Sequence, residues 1–130
     1  MGMEQFFTRG KANEGVKVNL MTPDGQMTDE YILIRSQWSD AFQQAKAQSY
    51  RDDMKAATEG REIDPTERHA RLTAALVAGW SFDEECTPES ALEFMRNAPQ
   101  LRDMIDRYAS NDARFFGKPS SDSTTGRKQK

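Results

Sequence analysis

Three prolines govern how the second half of this chain can fold: Asp64-Pro65-Thr66-Glu67, Thr87-Pro88-Glu89-Ser90 and Ala98-Pro99. A proline inside a helix removes a backbone donor and clashes with the preceding turn, at a cost of about 3 kcal/mol, whereas in the first turn it is tolerated. The segment must therefore be several short helices and not one long one. Asp64 and Thr87 each place a side-chain oxygen where it can accept from an exposed amide of the first turn. Glu67 stands where a capping box places its acid, and Glu89 suits the positive end of a helix dipole. The first helix is predicted from Pro65 to about Gly79, burying Leu72, Ala75 and Leu76. The second runs from Pro88, with Ala91, Phe94 or Met95, and Ala98 on one face. Pro99 ends it and starts another, in which Leu101, Met104, Ile105, Tyr108 and Phe115 fall on one stripe and Gly117 is a plausible stop.

The front half reads differently. Residues up to about Gly15 are polar and glycine-punctuated apart from Phe6-Phe7, and are expected to be loosely ordered. Val16, Val18 and Leu20 alternate with Lys17 and Asn19, the period of a half-buried strand. Pro23-Asp24-Gly25 is turn chemistry, and "EYILIRS" is a second run of β-branched and aromatic residues. The pair predicts an antiparallel hairpin, Val16–Met21 with Tyr31–Ser36. Ser39 then caps a helix through Thr58 that ends near Gly60. Its apolar face, Phe42, Ala45, Tyr50, Met54 and Ala57, is thin, which suggests a helix only partly buried or one that packs on a partner. The expected fold is mainly α within the α+β class. An N-terminal hairpin (about 16–36) is followed by about four helices in one domain, 1–116, and a flexible, disordered basic tail, 117–130. The charges of Lys118–Lys130 sum to +3: Lys118, Arg127, Lys128 and Lys130 less Asp122.

The chain has one cysteine, one histidine and a formal net charge of −3. A lone cysteine leaves no internal disulfide framework, and no apolar run approaches the ~20 residues of a membrane span. Mild acidity argues against a dedicated nucleic-acid or membrane-surface binder. The beginning of the chain lacks the apolar stretch of a secretion signal, so the cytoplasm is the expected compartment. Cys86 precedes a helix N-terminus, which favours a thiolate, but the only base, His69, belongs to another predicted helix. A small side chain at a helix junction is the simpler reading. Asp83-Glu84-Glu85 lacks the turn that converges oxygens on a cation, and His69 with Cys86 supplies two of the four ligands a structural zinc needs. No phosphate loop or nucleophile elbow occurs. Neither catalysis nor a cofactor nor a metal is expected.

The stretch "GWSFDEECTPESALEFMRNAPQLRDMIDRYASNDARFF", Gly79 to Phe116, resembles the C-terminal half of tail assembly chaperones of long-tailed, lambda-like bacteriophages. The shared elements are a Gly-Trp pair, a Thr-Pro-Glu helix start, an Ala-Pro break and a last helix ending in Arg and Phe-Phe. "GVKVNLMTPDGQMTDEYILIRS" resembles the strand pair that precedes the helices in that family. The resemblance implies a non-enzymatic protein of the host bacterial cytoplasm, absent from the mature virion. Such a protein binds the tape-measure protein and keeps it soluble until the tail tube forms. It also implies a longer product of a programmed frameshift that recruits tail tube subunits. A backward slip needs a heptamer of the form X XXY YYZ. Arg114-Phe115-Phe116 encodes one if the Arg114 codon ends in T and Phe115 is TTT, which the nucleotide sequence decides.

Flexible thioethers and exposed aromatics suit a surface that re-packs against apolar partners. The residues expected to bind partners are Phe6, Phe7, Trp38, Phe42, Tyr50, Met54, Phe115 and Phe116. As aromatics, Trp38, Phe42, Trp80, Phe82, Phe94, Phe115 and Phe116 are by default expected mostly in the core. The helix beginning at Ser39 and the N-terminal aromatics are expected to carry self-association into an open spiral or ring. Two other readings compete: a structural tail or head-tail morphogenesis protein retained in the virion, and a small regulator that binds nucleic acid through its basic tail.

Overall fold

The computed structural model describes residues 2–117, so the basic tail expected at 118–130 lies outside the described residues. A 3-10 turn, Met3–Phe6, leads into helix α1, Arg9–Glu14, and then strands β1, Val16–Met21, and β2, Met27–Ile34. Helices α2, Asp40–Thr58, and α3, Pro65–Ala74, follow, then strand β3, Val77–Trp80. Helices α4, Pro88–Asn97, α5, Pro99–Ala109, and α6, Asp112–Phe116, complete the order. The α+β class expected from sequence is what the chain adopts.

The hairpin forms where the alternation placed it, but β2 starts earlier than Tyr31. The Thr22–Gln26 turn closes on itself: the Gly25 amide donates to the Thr22 carbonyl at 2.9 Å and the Thr22 amide to the Gln26 carbonyl at 2.8 Å. Gly25 sits at φ 96°, a conformation other residues rarely adopt. Pairing then resumes at once, Met27 opposite Met21 and Ile34 opposite Val16. The polar run Thr28–Glu30 lies in the strand because its side chains need not be buried, and Thr28 Oγ1 donates to the Leu20 carbonyl at 2.7 Å.

β3 replaces the end of the helix expected to reach Gly79. Antiparallel pairing sets Ile32 beside Trp80 and Leu33 beside Gly79, giving the sheet order β1-β2-β3. The carbonyls that would extend α3 are captured instead. The Arg35 amide donates to the Leu76 carbonyl at 2.7 Å, and the Arg35 guanidinium donates to the carbonyls of Ala75 and Val77, each at 3.0 Å. Leu76 is buried as expected, but in the connection after the helix, while α3 itself buries Ala70 and Thr73.

Both proline starts hold. The Asp64 carboxylate accepts from the Thr66 amide, while the Thr87 hydroxyl accepts from the Ser90 amide and Ser90 Oγ returns to the Thr87 amide. The box at Thr87 is thus closed by a serine. Glu67, expected to close a box at Asp64, reaches across to α4 instead. The final stripe is divided into α5 and α6. The Ala109 carbonyl accepts from the Gln37 amide at 3.0 Å, and the indole of Trp38 donates to Asp112 at 2.9 Å, which turns the chain at Ser110-Asn111. The N-terminal segment, expected to be loose, is helical over Arg9–Glu14. Asp40 at the start of α2 accepts from Arg9 and Asn13, and Ala12 is fully buried. Gly15, at φ 86°, joins this helix to β1 so closely that a Cβ there would stand 3.0 Å from the Ile34 carbonyl oxygen.

One core joins the sheet to the helices. Val18, Leu20, Ile32 and Ile34 pack with Leu76 and Val77, and with Met95 and Ile105 from α4 and α5.

Candidate partner-binding surface

α2 is held at its start. Ser39 is fully buried and accepts from the Phe42 amide, and α1 is tied to the first turn through Arg9 and Asp40. That pairing holds the exposed Asp40 carboxyl below the usual aspartate range, chiefly through the hydrogen bond from Arg9. Beyond Phe42, which packs against the core, the helix runs over the surface: of its 19 residues only Ala56 is buried. Tyr50 and Met54, four residues apart and so on one face, are each 71% exposed. Trp38 just before the helix is 48% exposed, and Phe6 and Phe7 are 75% and 69% exposed.

The eight residues expected to bind partners therefore divide. Phe6, Phe7, Trp38, Tyr50 and Met54 face solvent. Phe42 and Phe116 are half-buried, and Phe115 is buried at 7% exposure, so it offers no surface to a partner. The turn before α6 accounts for this: it swings Phe115 inward, on a helix that packs against α1.

Polar and charged side chains link the helices. His69 on α3 is hydrogen-bonded to Asp106 on α5, and Arg68 on α3 pairs with Asp53 on α2 at 2.8 Å. Glu67 accepts from Arg96 on α4 and from Arg71 one turn along its own helix. The hydrogen bond from Arg96 is the main reason that the Glu67 carboxyl sits below the usual glutamate range. A lowered folded-state pKa means that the pair stabilises the fold above the unfolded glutamate pKa, and that this contribution fades as pH falls through the folded one. Both partners are partly exposed, so Glu67→Gln should cost on the order of 1 kcal/mol or less at neutral pH. Urea unfolding should show the two proteins converging in acid, below about pH 4.5.

Cys86 lines a cleft with Arg35, Arg71, Thr87 and Leu92, and His69 is not among the residues that line it. Burial pushes the thiol up, against a smaller opposing pull from Arg35. The structure thus opposes the thiolate that a helix start would favour. Alkylation by iodoacetamide near pH 8 should be slower in the folded protein than after unfolding in urea. Among the described residues no three of His, Cys, Asp and Glu gather as a metal site, and no helix is long and apolar enough to cross a membrane.

Trp80, Phe82 and Phe94, expected mostly in the core, do pack against it but are only half-buried, and their outer faces form an open aromatic groove. The signal for it is Trp80 and Phe82 at strand spacing before a helix start, which a helix predicted to reach Gly79 obscures. Comparison with protein-family models, with curated proteins and with solved structures finds no match to this chain.

Proposed function

We propose that this protein is a tail assembly chaperone of a long-tailed bacteriophage, acting in the host bacterial cytoplasm and absent from the finished virion. It binds the tape-measure protein, keeps that long helical chain soluble, and joins with further copies of itself in an open spiral or ring. A frameshifted longer product brings in tail tube subunits. The observation that carries the reading is α2: a 19-residue helix with one buried residue and an exposed Tyr50–Met54 face. The helix is held by its cap, by Arg9 and, along its inner side, by α3 through the Arg68–Asp53 pair, which leaves the outer Tyr50–Met54 face free for the apolar stripe of another helix. The family resemblance of Gly79–Phe116 supplies the identity of that partner.

The test is co-expression with a tape-measure candidate, a long coiled-coil-rich reading frame sought directly downstream of this gene. Without this protein the tape-measure protein should pellet; with it, the two should remain soluble and copurify. Equal insolubility in both cases would contradict the proposal. So would mass spectrometry that finds this chain as a stoichiometric component of purified virions.

A further inference from the structure

Helices α1 and α6 are six and five residues long, and neither has a side chain that accepts from its first turn. Isolated helices below about 12–15 residues are marginal in water, so each persists only through what it docks on. α1 also carries Gly10 within it, a residue that weakens a helix relative to alanine. Each helix buries one side chain, Ala12 in α1 and Phe115 in α6, and both lie outside the main core.

The two helices dock on each other and on one stretch of chain. α1 packs against α6. The stretch from Ser36 to Asp40 holds both. The Ser36 amide donates to the Ala12 carbonyl at 3.2 Å, and the Asp40 amide donates to Asn13 Oδ1 at 2.8 Å. The Trp38 indole, from the same stretch, donates to Asp112 at the start of α6. The Arg9–Asp40 ion pair is solvent-exposed and adds only modestly to the hold on α1. At the base of α1 the support changes. Gly15 is at φ 86°, and Val16 beyond it is paired with Ile34 in the sheet. Opening of the N-terminal segment can therefore stop at Gly15 with the core intact.

We infer that α1 is a strap closed over α6, that the two open together well short of global unfolding, and that opening uncovers Phe115. The opened face carries Phe115 beside Phe116, whose rings lie 5.9 Å apart. In the closed chain Phe115 is 7% exposed, so the strap keeps an apolar surface latent. The coupling has a physical cause. Losing α1 removes the helix against which α6 packs, and five uncapped residues do not hold a helix by themselves. The strap requires no partner, so it stands independently of the chaperone reading.

Amide hydrogen exchange on the full-length protein, read residue by residue by nuclear magnetic resonance, tests it. The Ala12 and Gly15 amides bond within α1 to Thr8 and Lys11, and the Arg114 and Gly117 amides bond in α6 to Asn111 and Ala113. All four should exchange on the order of 100-fold faster than the Ile32 and Ile34 amides of the central strand. Gly10→Ala adds helix propensity where a Cβ meets nothing within 4 Å. It should slow Ala12 and Gly15 about fivefold and, through the shared opening, slow Arg114 and Gly117 by the same factor. Ala12→Asp puts a charge at a fully buried position and should hold the strap open. Both helices should then lose protection and the apolar dye ANS should bind, while Ile32 and Ile34 stay protected. α1 amides that exchange as slowly as those of the central strand overturn the inference. So do α6 amides that ignore Gly10→Ala, or an Ala12→Asp protein that loses sheet protection or binds no more dye than wild type.

Discussion

Ile32→Ala should lower the stability of this protein by about 2–5 kcal/mol. Ile32 has no exposed surface and lies in the central strand, opposite Val18 on one side and Trp80 on the other. Removing its outer carbons leaves a cavity beneath two neighbouring strands, which cannot collapse without breaking their pairing. Domains of this size typically have only about 5–15 kcal/mol in total, so the melting temperature should fall by on the order of 10 °C. Tyr50→Ala provides the contrast. A side chain that is 71% exposed on α2 should change stability by no more than about 0.5 kcal/mol. Thermal unfolding of the two variants side by side checks both statements. A Tyr50→Ala loss as large as that of Ile32→Ala would mean that α2 belongs to the core.

The second large effect is functional. Tyr50→Asp/Met54→Asp should abolish the solubilising action on the tape-measure protein while leaving the melting temperature within a few degrees of wild type. Each substitution puts a charge on the exposed Tyr50–Met54 face on which an apolar helix would lie, and desolvating an unpaired carboxylate in such an interface costs several kcal/mol. The free protein bears little of that cost because both positions face water. Pelleting of the co-expressed tape-measure protein is the measurement. Full retention of the client in the soluble fraction would move the binding surface away from α2.

Local chemistry shows where a helix begins, as at Ser39, Asp64 and Thr87, because a cap and a proline act within one turn. It does not show what lies across from the helix. The thin apolar face of α2 is legible in the sequence because so few large residues recur on it, and exposure of Tyr50 and Met54 is the outcome that pattern implies. Phe42 and Phe115 look the same in sequence but are covered by contacts with residues far along the chain. The groove at Trp80 is hidden for the same reason: it needs Phe94, from α4, to stand beside Trp80 at the end of β3 and Phe82 just after it.

By itself the sequence determined the hairpin at Val16, the helix starts at Ser39, Pro65, Pro88 and Pro99, and the α+β class. Alternation, caps and proline geometry are properties of a few adjacent residues. Only tertiary structure decided that the chain after Ala74 becomes a third strand, that the last stripe breaks at Ser110-Asn111, and that the N-terminal segment is helical. In each case backbone groups or side chains found partners some 30 to 75 residues away: Arg35 for the carbonyls after α3, Gln37 and Trp38 for the turn before α6, Asp40 for α1. A buried polar group must be paired, and which distant group pairs with it is settled when the whole chain packs.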